Sequence, residues 1–297
     1  MNIRASGPFR SILFPTDFSK SSEAIADHAA GIAKAVETKV WLLSIEPWLE
    51  AWHGSSESYF GPFTESARVK LEHERQVSSD LRMKTLERLQ KQHFSSVESE
   101  CCVLGGGVAE TVVEFAKEKD VGMIMMATRG FGPKRRFMIG STTAKVLHDA
   151  PCAVWTSPHP CELGPFHPYR NIVIAMNYRK LSADLLVRAS EVAGKFGANL
   201  SVYTAIPTAG SAEHGLFLKM KQEIAATIKS QLAREKLKAS VHLIEGDPGE
   251  VIGQVATEIA AADLIITGRG HLDEAAGHLR THNYEIIWNA PCPVITL

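Results

Sequence analysis

The sequence predicts an α/β protein made of two tandem, doubly wound domains, each with a mostly five-stranded parallel sheet. Three observations support this prediction. The chain has 297 residues, which suits two cores of ordinary domain size. Residues 10–47 align without gaps on residues 170–207, and residues 105–157 on residues 245–297, so the chain contains one unit twice. In each repeat, short apolar runs alternate with amphipathic helical segments, as in parallel βαβ units.

The first repeat begins with an apolar run bounded by polar residues, Ser11–Pro15, which predicts a buried strand. A helix follows, because Ala26, Ala29, Ala33 and Val36 recur at helical spacing. The same reasoning applied along the repeat predicts further strands at 40–45, 97–104, 122–127 and 152–156, and helices at 65–92, at 109–119 and before residue 152.

The second repeat gives the same order of elements. Strands are expected at 171–175, 200–205, 240–244, 263–267 and 293–297, and helices at 185–196, 217–236 and 250–259, with Gly197 ending the first helix. The alignment offset falls from 160 to 140 between the two aligned blocks, so the first repeat carries 20 extra residues. They include an aromatic cluster at Trp48, Trp52, Tyr59, Phe60 and Phe63, which is either local packing or a partner surface.

These patterns divide the chain into a first domain over 1–157, a proline-rich linker over 158–169 and a second domain over 170–297. The net charge of −1 argues against a general nucleic-acid binder. No apolar run is long enough to cross a membrane and the N-terminus lacks an apolar signal core, so a cytoplasmic protein is expected. Five scattered cysteines are too few for a disulfide framework, and we expect reduced thiols.

The most informative motif follows the fourth strand. It consists of Ala127-Thr128-Arg129-Gly130, nine further residues, and Gly140-Ser141-Thr142 at the start of a helix. Glycines permit tight turns and close backbone approach, and unpaired N–H groups at a helix N-terminus attract phosphate. Because residues 129–142 carry four positive charges and no negative charge, including Lys134, Arg135 and Arg136, the loop suits a nucleotide phosphate.

These residues resemble the universal stress protein family in its tandem two-domain form. The first signature is Pro15-Thr16-Asp17-Phe18-Ser19 at the end of a strand. The second is the motif Gly, two residues, Gly, nine residues, Gly and Ser or Thr, in which Ala127 replaces the leading glycine. The third is Ala-Pro-Cys-x-Val before the last strand of each repeat. The resemblance covers nearly the whole chain apart from the linker and the insertion after residue 47.

The resemblance implies flavodoxin-like domains of the adenine-nucleotide α-hydrolase type that bind ATP, with Mg²⁺ shared between the phosphates and Asp17. Asp17 is then beside the ribose or the metal, Ile45 contacts the adenine, and the glycine loop holds the phosphates. The residues implied at the nucleotide are Pro15, Thr16, Asp17, Ile45, Ala127, Thr128, Arg129, Gly130, Gly140, Ser141 and Thr142. Alanine at 127 weakens binding only if the backbone there needs a positive φ.

The second repeat departs from this motif. Asn177 replaces Asp17, Arg280 replaces Gly140, and Glu274-Ala275-Ala276 replaces the three basic residues of the loop. The loop charge from residue 269 to residue 282 is therefore zero, against +4 in the first repeat. We expect the phosphate site of the second repeat to be lost.

Other interpretations of the same residues stay open. Asp17 suits a helix cap, and the basic loop suits a solvated surface. His271, His278 and His282 have a spacing compatible with zinc, and His159, Cys161 and His167 form a weaker set. The segment from Gly246 to Glu250 is typical of a turn and helix start.

The leading functional hypothesis is a cytoplasmic stress-response sensor or binding module in which bound ATP orders the loop 129–142. A slow ATP-hydrolysing or adenylyl-transferring enzyme and a ligand-free interaction protein are the alternatives. Because the family pairs its last strands in dimers, the resemblance implies an intramolecular pseudo-dimer, to which a homodimer could be added. The sequence does not identify the stress, the partner, the nucleotide or the need for Mg²⁺.

Overall fold

A computed structural model describes residues 7–46, 65–128, 139–157, 162–179, 181–206, 208, 214–259, 261–269 and 281–297. The aromatic cluster of the insertion, from Trp48 to Phe63, lies outside these residues. The described part of the chain forms an α/β structure whose elements follow the predicted order in both repeats.

In the first repeat, a 3₁₀ turn at Gly7–Phe9 leads into the first strand. The strands are β1 (Ile12–Pro15), β2 (Val40–Glu46), β3 (Ser99–Gly105), β4 (Met123–Ala127) and β5 (Ala153–Ser157). The helices are α1 (Lys20–Glu23), α2 (Ala26–Val36), α3 (Glu65–His93), α4 (Val108–Glu118) and α5 (Ser141–Asp149). The predicted strands and helices differ from these mainly by one or two residues at their ends.

In the second repeat, the strands are β6 (Asn171–Ala175), β7 (Asn199–Ile206), β8 (Ser240–Glu245), β9 (Leu264–Thr267) and β10 (Val294–Thr296). The helices are α6 (Ala183–Phe196), α7 (His214–Arg234), α8 (Pro248–Gln254) and α9 (Thr281–Asn289). The helix predicted over 250–259 is divided, because α8 continues into a π-helical turn at Val255–Ile259.

The ten strands of the described residues belong to one sheet, in the order β3-β2-β1-β4-β5-β10-β9-β6-β7-β8. The strands are parallel within each repeat, and β5 and β10 pair antiparallel, with Trp155 opposite Ile295. The predicted pairing of the two last strands within one chain is therefore confirmed. It removes the sheet edge that each repeat would otherwise expose.

The core lies on both faces of this sheet and runs through both repeats. One face packs against α2, α3, α6 and α7, and the other against α4, α5, α8 and α9. The strands are apolar on both sides, which is typical of parallel sheets covered by helices. The doubly wound α/β fold predicted from the sequence is confirmed.

The segment 162–169, which lies within the expected linker, packs against the first repeat. The Phe166 ring fills the space beside Gly31 on α2, where a Cβ atom would lie 2.2 Å from the ring. The His28 Nε2 atom donates to the Gly164 carbonyl at 2.9 Å, and its ring meets Phe166 edge to face. Glycine at position 31 therefore allows this segment to lie close to α2.

No helix in the described ranges is long and apolar enough to cross a membrane. The four described cysteines are free thiols. Burial raises the pKa of the Cys152 thiol to about 11 and that of Cys292 to about 12. Both thiols are therefore protonated at neutral pH and are poor nucleophiles.

Candidate functional site

The site predicted from the sequence lies where the strand order of the first repeat reverses. β1 and β4 are neighbours in the sheet, and the chain leaves them toward opposite sides, to β2 and to β5. Thr16 follows β1 and Thr128 follows β4. Because ligand crevices in open α/β sheets form outside the carboxyl ends of the strands at such a reversal, this is the expected place for a ligand.

The N-terminus of α5 opens at this edge of the sheet. Gly140 is its N-cap residue, no side chain caps the helix, and no acidic residue lies in its first turn. Ser141 is exposed and Thr142 is half-buried. The first N–H groups of a helix have no partner within it and carry the positive end of its dipole, so this terminus suits an anion.

The space around Gly140 explains why a glycine suits this position. Its backbone is extended, with φ −60° and ψ 147°, so the conformation does not itself require glycine. Its N–H donates to the Thr128 carbonyl at 2.9 Å, and a Cβ atom would lie 3.3 Å from that oxygen. Because glycine has no Cβ atom, the start of α5 can lie close to the end of β4.

Thr143 is a residue that the sequence analysis missed. Its side chain is buried, and its hydroxyl donates to the Ala127 carbonyl at 3.1 Å, which ties α5 to the end of β4. In the second repeat the equivalent residue, Asn283, donates from Nδ2 to the Gly268 carbonyl at 2.8 Å. A polar residue occupies the third helical position of both repeats, but the sequence does not distinguish it from a polar residue that faces solvent.

Asp17 is engaged in the turn between β1 and α1. Its Oδ1 atom accepts from the Ser19 backbone N–H at 2.9 Å and from the Ser22 hydroxyl at 3.0 Å. Asn177 makes the same turn in the second repeat, since its Oδ1 atom accepts from the Arg179 N–H at 2.9 Å. The turn therefore needs the side-chain oxygen, and the negative charge of the exposed Asp17 is additional to it.

Pro15 and Thr16 shape the same corner. Pro15 ends β1 opposite Leu43, and the buried Thr16 continues the pairing through its N–H, which donates to the Leu43 carbonyl at 2.8 Å. The Thr16 Oγ1 atom accepts from the Phe18 N–H at 3.0 Å. These contacts give Phe18 a left-handed φ of 60° and direct the chain into α1.

Two further residues implied at the nucleotide are mostly core. Ile45 is 7% exposed and packs on the sheet face that α4 and α5 cover. Ala127 is buried, pairs with Ser157 and has a negative φ. Alanine at 127 is therefore compatible with the backbone, because this strand end does not require glycine.

Several residues of the motif lie outside the described ranges. They are Arg129, Gly130 and the basic residues 134–136 in the first repeat, and Glu274 and Arg280 in the second. His159, Cys161, His271 and His278 lie outside as well, as does the side chain of His282. Among the residues that are described, no three His, Cys, Asp or Glu side chains group in a way that could hold a metal ion.

Comparison with known proteins gives the family. The model of the universal stress protein family matches residues 8–158 and again residues 168–297. The chain belongs to the universal stress protein family. Because the family model matches twice, this universal stress protein is a tandem member.

Individual relatives agree with this assignment. A universal stress protein of Methanocaldococcus jannaschii is 27% identical over 150 residues, which cover 49% of this chain and 80% of that protein. A crystal structure of a universal stress protein from Archaeoglobus fulgidus superposes with a TM-score of 0.62 at 17% identity, covering 96% of this chain and 95% of that one. A protein of unknown function from Pseudomonas aeruginosa PAO1 superposes with a TM-score of 0.58 at 16% identity, covering 97% and 92%. At these identities the structures support the fold alone.

Proposed function

We propose that the first repeat binds an adenine nucleotide, with ATP as the ligand. We further propose that the protein is a stress-response binding module, which acts through the presence or absence of bound nucleotide and not through its turnover. The observation that carries this proposal is the open N-terminus of α5 at the strand-order reversal, with Gly140 lying against Thr128. Membership of the universal stress protein family supports it.

The phosphates would be held by the first turn of α5. Its N–H groups point outward without a side-chain cap, and Ser141 and Thr142 add hydroxyl donors. By the sequence motif, Arg129 and Gly130 contribute from the preceding loop. This arrangement resembles other sites in which a helix terminus and small residues bind phosphate without a catalytic side chain.

The Asp17 carboxylate is suited to bind the Mg²⁺ that accompanies the phosphates. Its charge is not needed for the turn, because Asn177 makes the same turn with a neutral amide. Mg²⁺, when bound, would neutralise part of the phosphate charge. Asp17 would hold the cation on the β1 side while α5 holds the phosphates, and Ile45 would contact the adenine through its backbone or its small exposed fraction.

The second repeat is proposed to lack this function. It has Asn177 in place of the carboxylate, Arg280 in place of Gly140, and a loop with no net charge. One nucleotide per chain is therefore expected.

Calorimetric titration with ATP, with and without Mg²⁺, tests the proposal. Wild-type protein should bind one equivalent, and Gly140→Arg, which installs the residue found at the equivalent position of the second repeat, should abolish binding. The matched control is Gly194→Arg, because Gly194 is exposed and a Cβ atom there meets nothing within 4 Å. Equal titrations for wild type and Gly140→Arg would refute the proposal.

The fate of bound nucleotide separates the alternatives. Mass spectrometry of small molecules released from freshly purified, denatured protein should show an adenine nucleotide, and a time course should show little turnover. Rapid release of phosphate or pyrophosphate would favour an enzyme. Absence of nucleotide together with absence of ATP binding would favour an interaction protein without a ligand.

A further inference from the structure

The second repeat contacts α5 of the first repeat directly. The Arg269 guanidinium donates from Nη1 to the Ala150 carbonyl and from Nη2 to the Cys152 carbonyl. The Tyr284 hydroxyl donates to the Ala144 carbonyl at 3.3 Å. Ala150 is the C-cap residue of α5, so these three hydrogen bonds reach the middle and the end of the helix whose beginning forms the candidate phosphate site.

The backbone of Arg269 is hydrogen-bonded to the end of the chain in the second repeat. It follows the end of β9, and its N–H donates to the Leu297 carbonyl at 3.0 Å, next to the end of β10. Because β10 pairs with β5 antiparallel, the carboxyl end of β9 lies near the beginning of β5. The sheet therefore places this side chain against the turn that joins α5 to β5.

The position of α5 depends on such contacts. The helix has only nine residues, fewer than the roughly 12 to 15 at which an isolated helix becomes even marginally stable. The first repeat holds it through the Thr143 hydrogen bond to Ala127, through an ion pair between Lys145 and Glu110, and through the buried side chain of Val146. The second repeat holds its C-terminal end through Arg269.

The charges at the two ends of α5 are consistent with a ligand at its N-terminus and a contact from the second repeat at its C-terminus. A cation at the C-terminus of a helix and an anion at its N-terminus are both favourable with respect to the helix dipole. Arg269 supplies the cation at Ala150 from the second repeat. The N-terminus has no side-chain cap and no acidic residue in its first turn, so the positive end of the helix dipole there is available to the ligand.

We infer that Arg269 and Tyr284 are positioning residues for the nucleotide site of the first repeat. The second repeat, with its own phosphate motif replaced, holds α5 so that the N–H groups of its first turn are aimed at the phosphates. This inference rests on the proposed function, because it concerns the same site. Neither residue contacts the ligand, and both act through the placement of α5.

Two variants and one control test the inference. Arg269→Gln removes the charge and the paired donors, and Tyr284→Phe removes a single hydroxyl with little risk to folding. Arg234→Gln is the control, because Arg234 is exposed at the end of α7 in the same repeat. All three are compared with wild type by calorimetry with ATP and with adenosine, well below the unfolding temperature.

If these residues position α5, their replacement should weaken the binding of ATP, which carries phosphates, more than the binding of adenosine, which carries none. Arg269→Gln should raise the Kd for ATP about five-fold, the effect of one ordinary hydrogen bond, while the Kd for adenosine stays within about two-fold. Tyr284→Phe should act in the same direction with a smaller effect, and Arg234→Gln should change neither constant. Equal loss for ATP and adenosine, or no loss for ATP in a wild type that binds it, would overturn the inference.

Amide hydrogen exchange in the ligand-free protein tests independently whether Arg269 stabilises α5. Arg269→Gln should accelerate exchange in α5 and leave α2, on the opposite face of the sheet, unchanged. Unchanged exchange in α5, or an equal acceleration in both helices, would contradict the positioning role. If wild-type protein binds no nucleotide, the proposed function fails, and the exchange result still decides whether the second repeat holds α5.

Discussion

The Trp155 indole Nε1 donates to the Tyr169 hydroxyl at 3.0 Å, and both side chains are buried. This hydrogen bond joins β5 of the first repeat to the segment that enters the second. Tyr169 also packs edge to face on Phe196, with ring centroids 5.0 Å apart. The junction between the repeats is therefore part of the core.

Tyr169→Phe should lower the free energy of unfolding by about 1–3 kcal/mol, because it leaves the buried indole N–H without an acceptor. Urea unfolding followed by tryptophan fluorescence measures the change. Tyr178→Phe is the control, since the Tyr178 hydroxyl accepts from the exposed Arg179 and its loss should cost less than about 0.5 kcal/mol. A Tyr169→Phe protein as stable as wild type would show that the indole finds another acceptor.

Asp17→Asn separates the charge of Asp17 from its role in the turn. Asn177 makes the equivalent turn, so the variant should fold with unchanged stability. If the carboxylate holds Mg²⁺, the variant should lose the part of ATP affinity that depends on Mg²⁺ and keep the affinity measured with EDTA. If the ATP affinity of the variant depends on Mg²⁺ as strongly as that of the wild type, Asp17 has a role in the turn alone.

Ala127→Gly restores the residue expected at the start of the nucleotide motif. Since Ala127 lies in a regular strand with a negative φ, glycine brings no conformational gain. The free energy of unfolding should fall by about 0.5–1 kcal/mol, because glycine loses more entropy on folding, and the Kd for ATP should stay within about two-fold. A much tighter complex would show that the alanine methyl group obstructs the ligand.

Thr143→Val removes the hydroxyl that joins α5 to β4 and keeps the shape of the side chain. The buried Ala127 carbonyl loses a partner, so the free energy of unfolding should fall by about 1–3 kcal/mol, measured by urea denaturation. Thr143→Ser keeps the hydroxyl and should retain more of the ATP affinity than Thr143→Val. The reverse order would exclude a role of this hydrogen bond in the site.

The packing of the segment 162–169 against His28 should depend on pH. Burial lowers the pKa of His28 below the ordinary value of 6.5, against the opposing effects of the Gly164 hydrogen bond and Asp27, while His167 adds to the lowering. Its Nδ1 atom is buried without a hydrogen-bond partner, so a second ring proton is unfavourable there. The neutral His28 side chain therefore makes its full contribution to the free energy of unfolding above pH 6.5. That contribution is lost as the pH falls from 6.5 through the lowered pKa of the folded protein.

The urea midpoint at about pH 7.5 and about pH 5.5 measures this effect. Wild-type protein should lose stability between the two, and His28→Gln, which keeps an N–H donor for Gly164 and does not titrate, should lose less. Equal losses in both proteins would assign the pH dependence to other groups.

The sequence predicted the strands and the helices because those features depend on local apolar periodicity and on an internal repeat. The pairing of the last strands was predicted from the resemblance to the family together with the presence of two repeats on one chain. Thr143 was not found, since a hydroxyl buried against a strand end looks the same in sequence as one facing solvent. The partner of Arg269 was not found either. Its acceptors are backbone carbonyls more than a hundred residues away, and backbone carbonyls leave no trace in a sequence.

The pairing of β5 with β10 also has a consequence for synthesis on the ribosome. Thr156 and Val294 face each other across 138 residues, so β5 emerges long before its neighbour exists. During that interval the nascent first repeat presents a free strand edge to other nascent chains on the same messenger RNA. Tethering favours the intramolecular partner once it is made, so rapid completion of the chain protects against strand exchange between molecules.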